Sequence, residues 1–229
     1  MKTPLQILSF AGLLMGFALL SGCSVGKQST PSRFYVLSAL PQTTQPLPQA
    51  QDNPPNVGVA QIRIPSFIDR PQITYRLGVN EIRFSEFNRW GEPISDGITR
   101  VVRQNLTELL GAGRVAAFPW MQPYPRNLTL EAVVTDFAAG TDGVAELSVI
   151  YRIADDRNKE TLLVREAVFV DSAGGNLDDS KAVAALSDTL AQFARAAAED
   201  LLKINREQLA KKAAAEADKA ESTAASQEG

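Results

Sequence analysis

The chain has 229 residues, of which 45% are hydrophobic and 7% aromatic, and its formal net charge is −3. This length fits one domain with extensions, and the mildly acidic balance argues against nucleic acid as a partner, because nucleic-acid-binding proteins usually present a basic face. The chain has no histidine and one cysteine, which excludes catalysis by serine–histidine or cysteine–histidine pairs and removes the commonest metal ligand.

The N-terminal 22 residues have the features of a secretory signal peptide. Lys2 precedes an apolar stretch at residues 10–20, followed by a small-residue cleavage site. The letters LSGC at residues 20–23 resemble the bacterial lipobox, which implies cleavage before Cys23 and lipidation of its thiol with acyl chains such as palmitate. The alternative, a thiol behind an uncleaved membrane helix, needs about 20 apolar residues, and the polar residues 24–32 end the stretch too early.

Removal of residues 1–22 leaves 22 basic and 26 acidic residues, a formal charge of −4. Residues 23–32 then form a lipidated polar tether, which spans roughly 15–20 Å as a coil. Residues 34–37 are aromatic and branched and predict a short strand. Residues 38–56 contain five prolines, so we predict a long loop on the surface of the domain.

The next stretch predicts three strands. Residues 57–64 read as a strand that stops at Pro65. Residues 72–77 and 81–87 read as two more, and the Gly-Val-Asn sequence at 78–80 between them tolerates positive φ. We therefore expect a hairpin there.

A helix follows, since apolar residues recur every three or four positions from Ile94 to Leu110. Pro93 suits its first turn, where a missing N–H costs nothing. Gly111 and Gly113 supply the stop.

The following residues predict a short strand and a meander. Residues 114–118 form the short strand, and the prolines of 119–125 require a loop. Residues 127–137, 145–153 and 161–170 alternate apolar and polar side chains. Such alternation is typical of an antiparallel sheet with one covered face.

Residues 178–204 predict a second helix with a continuous apolar stripe. Residues 206–229 are rich in alanine, lysine and glutamate and have no large apolar residue after Leu209, so we expect a frayed helix passing into disorder. The acidic pair at 155–156 fits a turn and the pair at 178–179 fits a helix N-terminus, so we predict no metal and no cofactor.

Together these elements predict an α+β fold. We expect a mostly antiparallel sheet covered by two helices, a layered α/β sandwich, as a single domain over residues 33–205.

The most specific stretch is the motif segment, residues 65–93. It resembles the ABC-type transport auxiliary lipoproteins, the PqiC-like family, whose pattern is a segment similar to LPxYLDRPQIV, then an arginine, then a segment similar to RWAEPL. The resemblance covers about residues 33–203. The matching residues here are Pro65, Phe67, Asp69, Arg70, Pro71, Gln72, Arg76, Arg89, Trp90, Glu92 and Pro93.

The resemblance implies a non-catalytic periplasmic lipoprotein of an intermembrane lipid transport system. Its expected partners are an MCE-domain protein and that protein's inner-membrane complex, with contact to phospholipid and homo-oligomerisation left open. Ser24 is not the aspartate that retains lipoproteins in the inner membrane, which favours the periplasmic face of the outer membrane of a Gram-negative bacterium.

Two alternatives stay open at the level of sequence. The motif residues either hold the scaffold, as a turn and a helix start, or contact the partner directly, since Trp and Arg are enriched at interface hot spots. The protein itself could instead be an assembly lipoprotein of a cell-wall synthase or secretion channel, or a periplasmic hydrolase that works with carboxylate or serine groups.

Overall fold

The computed structural model describes residues 30–119, 125–172, 174 and 178–225, with side chains for all of these except 221 and 223–225. The predicted signal peptide and Cys23 lie outside the described residues. The chain divides into two compact units, Met1–Ser32 and Arg33–Gly229. All the helices and strands described belong to the second unit.

Within the described residues, eight strands form one mixed sheet. They are β1 (Arg33–Tyr35), β2 (Val57–Val59), β3 (Gln72–Gly78), β4 (Glu81–Trp90), β5 (Val115–Ala117), β6 (Leu128–Gly140), β7 (Val144–Asp155) and β8 (Thr161–Ser172). Strand β6 is central. One of its sides pairs with β7, which pairs with β8, and its other side pairs with β2 at its start and with β3 at its end. Strand β5 extends the β2 branch, and β4 followed by β1 extends the β3 branch, so β1 and β8 are at opposite edges.

The α+β class is confirmed, and the sheet is mostly antiparallel as predicted, with short parallel pairings that the alternation did not predict. The long β6–β7–β8 ladders and the β3–β4 hairpin are antiparallel. The pairings β1–β4, β2–β5, β2–β6 and β3–β6 are parallel and only two or three residue pairs long. Alternation reports which face of a strand is buried and carries no information about the direction of its neighbour, so the parallel pairings had no sequence signal.

Two helices cover one face of this sheet. Helix α1 (Ile94–Leu110) begins after Pro93 and ends at Gly111, whose φ of 100° favours glycine. Helix α2 (Asp179–Ala225) packs on β6, β7, β8 and α1. The predicted first residues of both helices and the predicted end of α1 are therefore correct to within one residue.

The core lies between the helices and the sheet, and its largest side chains come from both layers. The rings of Tyr151 on β7 and Phe193 on α2 meet edge to face, with centroids 5.3 Å apart. The Tyr151 hydroxyl donates to Asp200 at 2.7 Å, and Arg165 on β8 pairs with the same carboxylate at 3.0 Å. The Tyr151 hydroxyl is thus hydrogen-bonded, which avoids the cost of an unpaired buried group.

The strand predicted at residues 57–64 ends at Val59, with one isolated bridge at Arg63 beyond it. Between these positions Ile62 is buried, and its N–H donates to the Thr99 hydroxyl on α1 at 3.1 Å. The backbone therefore leaves the sheet to bury Ile62 under the helix, and the ladder is interrupted there.

Helix α2 continues well past the predicted end at residue 204. It stays helical through Ala225, in the stretch where we expected a frayed helix passing into disorder. Because the packed part of α2 has already formed the costly first turns, alanine-rich residues can extend it at little cost.

The proline-rich loop 38–56 is docked on the domain. The Leu47 N–H donates to the Leu109 carbonyl at 2.9 Å, and the Leu40 N–H donates to the Asn105 side chain at 2.7 Å. Leu47 is also buried. The loop therefore contributes to the core beside α1.

Candidate interaction surfaces on the sheet

The motif segment begins as a tight turn. The Pro65 carbonyl accepts hydrogen bonds from the N–H groups of Ile68 and Asp69, at 3.0 and 3.1 Å. Ile68 is buried and Phe67 packs against the core, while Asp69 and Arg70 are exposed. The apolar residues fix the turn to the domain, and the charged pair stays on the surface.

Trp90 ends β4 inside the core. The backbone N–H of Trp90 donates to the Pro71 carbonyl at 2.7 Å, next to the cross-strand pair of Gln72 and Arg89. The indole is only 7% exposed and so offers little area to a partner. Its position favours the scaffold alternative for Trp90.

Glu92 and Pro93 join the hairpin to α1. The Arg100 guanidinium donates to Glu92 at 2.5 Å and to the Leu37 carbonyl at 3.0 Å. The Pro93 carbonyl accepts N–H groups of the first helical turn at 3.0 Å. These contacts connect β4, α1 and the chain after β1, which is again a scaffold role.

Arg76 connects the hairpin to the central strand. Its guanidinium forms an ion pair with Asp136 on β6 at 2.6 Å. Both side chains are partly shielded from solvent, so this contact helps to hold the short parallel pairing of β3 with β6.

Three motif charges have no ion pair among the described residues, and of these Asp69 and Arg70 are exposed while Arg89 is half-buried. The Arg70 guanidinium lies 5.0 Å from the centre of the Phe84 ring. Asp69 and Arg89 form no ion pair or side-chain hydrogen bond with the described residues. Arg89 is the cross-strand neighbour of Phe34 on β1. Of the motif residues, Trp90 is buried and Asp69, Arg70, Pro71 and Pro93 are exposed, while the others are half-buried.

A second surface, which we call the open face, is the helix-free side of β6, β7 and β8. Its positions are set by the register, which places Ile150 beside Val133, and Val168 beside Ser148. Val164 and Val168 are 62% and 57% exposed. The apolar residues of the open face are Val133, Ile150, Val164, Val168 and Val170.

The open face also has charge and a shallow depression. Glu131 and Arg152 form an ion pair at 2.7 Å across β6 and β7. Beside it lies a depression of about 740 Å³, whose lining includes Arg63, Phe118 and Val164. An apolar surface with a polar border is typical of a protein-binding site.

Strand β8 forms an edge beside the open face. It pairs with β7, and on its free side Gln192 of α2 donates to the Val170 carbonyl at 3.1 Å. A long edge strand presents unpaired backbone groups to which another chain can add.

A polar cluster joins the hairpin to the first turn of α2. The Tyr75 hydroxyl and the Asn88 amide both donate to the Asp179 carboxylate, the latter at 2.5 Å. Burial, followed by the hydrogen bond to Asp179, raises the pKa of Tyr75 far above its usual range. A phenol held in this way stays protonated and serves as a structural hydrogen-bond donor.

In the described part of the chain, no group of three or more histidine, cysteine, aspartate or glutamate side chains is placed to hold a metal ion. Over the same residues, no helix is apolar enough over a sufficient length to cross a bilayer.

The open face was missed at the level of sequence, although β8 carried a signal for it. Residues 162–164 and 168–170 are apolar at consecutive positions, so both sides of this strand are apolar. Such a run indicates a strand that is covered on both faces, and here one of those faces is uncovered.

Comparison with known families gives one match over most of the chain. The family model described as an ABC-type transport auxiliary lipoprotein component matches residues 35–198. No match was found among curated proteins.

Two solved structures share the fold. A Xanthomonas campestris protein of the family DUF330 has a TM-score of 0.65 at 16% identity, over 77% of this chain and 98% of its own. A second structure, described as an uncharacterised protein, has a TM-score of 0.61 at 17% identity, over 75% of this chain and 99% of its own. At these identities the similarity shows the fold alone.

Proposed function

Because the chain belongs to the family of ABC-type transport auxiliary lipoprotein components, we propose that it is a non-catalytic subunit of an MCE-type system that carries phospholipid between membranes. Lipidated Cys23 anchors it at the periplasmic face of the outer membrane. Its folded domain docks on the MCE-domain protein and thereby on the inner-membrane complex. Its role is binding, in keeping with a chain that lacks histidine.

The observation that carries the docking role is the open face beside the β8 edge. Val164 and Val168 lie on one strand, more than half exposed, where their burial against a partner contributes about 1.5–3 kcal/mol each. The adjacent ion pair of Glu131 and Arg152 supplies a polar border. We place the partner's contact on this face.

The test replaces both valines with charge. The double variant Val164→Glu, Val168→Glu should lower recovery of the MCE-domain protein with the lipidated chain by tenfold or more, because two charges would be buried in the interface. Val79→Glu is the matched control, since Val79 is 90% exposed at the tip of the β3–β4 hairpin and belongs to none of the strands of the open face. The wild type, the double variant and Val79→Glu should have the same melting temperature.

Two outcomes would contradict the proposal. Full recovery of the MCE partner by the double variant would remove the open face from the interface. Recovery of a cell-wall synthase or a secretion channel from detergent extracts, without any MCE-domain protein, would favour the assembly-lipoprotein alternative.

A further inference from the structure

Strand β1 and the residue that follows it expose two large apolar side chains at the edge of the sheet. Phe34 is 68% exposed and Val36 is 56% exposed, although Tyr35 between them packs against the core. The strand is fixed in place, because the Gly91 N–H donates to the Tyr35 carbonyl at 2.7 Å. This apolar pair is therefore presented by an ordered strand.

Two arginines lie next to the pair. Arg33 precedes Phe34, and Arg89 is its cross-strand neighbour. The Arg33 guanidinium lies 5.6 Å from the centre of the Tyr35 ring. The group carries a local formal charge of +2, in a mature chain whose expected net charge is −4.

The chain preceding β1 limits how far this edge can lie from the anchor. Ten peptide units separate Cys23 from Arg33, which reach at most about 35 Å when fully extended. We propose that the β1 edge contacts the anchoring bilayer, with Phe34 and Val36 in the interface and Arg33 and Arg89 against anionic phospholipid headgroups. The proposal rests on the lipid anchor of the proposed function.

The physical argument is that two weak attachments reinforce each other. Exposed apolar and basic side chains gain from an anionic interface, and a lipid chain combined with a basic patch holds a protein more firmly than either alone. The acyl chain keeps the edge near the bilayer, so the patch binds at a high effective concentration. The β8 edge and the open face beside it, at the opposite end of the sheet, stay available for a protein partner.

The experiment uses the lipidated full chain with Val36→Cys, whose thiol is the one available for labelling because the Cys23 sulfur carries lipid. A polarity-sensitive fluorophore is attached, and the protein is placed in vesicles of phosphatidylcholine with or without phosphatidylglycerol. Val164→Cys, similarly exposed at the opposite edge, is the matched control. We expect a blue shift and quenching by bromine-labelled lipid at residue 36, stronger with phosphatidylglycerol, and neither at residue 164.

Substitutions in the labelled protein separate specific contact from mere proximity to the anchor. Phe34→Ser should abolish the shift in all vesicles. Arg89→Gln should weaken it about fivefold, and only in the vesicles that contain phosphatidylglycerol. A shift at residue 36 that survives Phe34→Ser would reflect the tether and overturn the proposal.

Failure of the patch and failure of the anchor are distinguishable. A chain that floats with vesicles and carries lipid on Cys23, but whose label at residue 36 stays in water, overturns the patch and leaves the proposed function intact. A mature chain whose mass shows no lipid on Cys23 overturns both.

Discussion

Arg89 and Trp90 are adjacent in the chain but lie on opposite faces of β4, and their environments differ accordingly. Trp90 is in the core, whereas Arg89 is half-buried beside Phe34 and has no ion pair among the described residues. A motif that groups the two therefore combines a residue that holds the fold with a residue that is free to bind.

Trp90→Ala should lower the free energy of unfolding by about 3–5 kcal/mol, because it leaves a cavity where the hairpin meets the core. Urea denaturation measures the change. Phe34→Ala is the matched control, since an exposed ring should cost under about 0.5 kcal/mol. An unchanged midpoint for Trp90→Ala, combined with loss of the partner, would instead assign Trp90 to the interface.

Asp156 should give the stability a dependence on acid pH. Burial opposes its ionisation, but hydrogen bonds from Lys159, Arg126 and Thr129 outweigh that effect and lower the pKa of Asp156 below its ordinary value. A lowered folded-state pKa contributes stability that is complete above the ordinary carboxyl pKa and is lost as the pH falls through the folded value.

Asp156→Asn should therefore destabilise the protein at neutral pH by about 2 kcal/mol and flatten the loss of stability below about pH 4. Thermal melts from pH 7 to pH 2 provide the measurement. Asp52→Asn, an exposed acid of the proline-rich loop without an ion pair among the described residues, is the control. Identical pH profiles for wild type and Asp156→Asn would contradict this account.

Among the secondary-structure elements, helix α2 has two parts that differ in what they bury. Up to Asn205 it packs on the sheet and on α1, and the Asn205 amide donates to the Asn53 carbonyl at 2.9 Å. From Ala210 onward its described side chains are exposed. The second part is helical because its composition favours a helix, and it adds nothing to the core.

Removing residues 211–229 should leave the melting temperature within about 1 °C, since the change in buried area is negligible. Leu201→Ala, in the buried part, should by contrast cost about 2–5 kcal/mol. Thermal unfolding of the three proteins tests this. A large fall in melting temperature on truncation would mean that the C-terminal part of α2 has a contact beyond those described.

At the scale of the whole domain, two terminal strands of the sheet, β1 and β8, have different surroundings. Strand β1 directly follows the predicted tether and carries basic and aromatic residues, and β8 lies at the opposite edge beside the open face. This arrangement allows one edge to contact a membrane while the other binds a protein.

The anchor is tested by Cys23→Ala, which should abolish the lipid-modified mature form and leave a precursor or a soluble chain. Membrane fractionation and intact mass measure this. Ser24→Asp is the informative companion, because it should keep the lipid and move the protein to the inner membrane. Normal fractionation of a mature Cys23→Ala protein would refute lipid anchoring.

Local sequence patterns predicted most of the elements. The three-to-four spacing from Ile94 gave α1, and the alternation in residues 127–170 gave the β6–β7–β8 meander, because both patterns follow from burying one face of a regular element. The β2 strand was overestimated, since a tertiary contact between Ile62 and Thr99 interrupts it. No local pattern records such a contact.

The sequence by itself determined the α+β class, the family resemblance and the prediction of a lipid anchor, because these depend on composition and short-range order. The tertiary structure decided the mixed pairing of the sheet, the burial of Trp90 and the exposure of Phe34, Val164 and Val168. Whether an apolar side chain is core or surface depends on which elements cover its face of the sheet. That covering comes from segments far away in the chain.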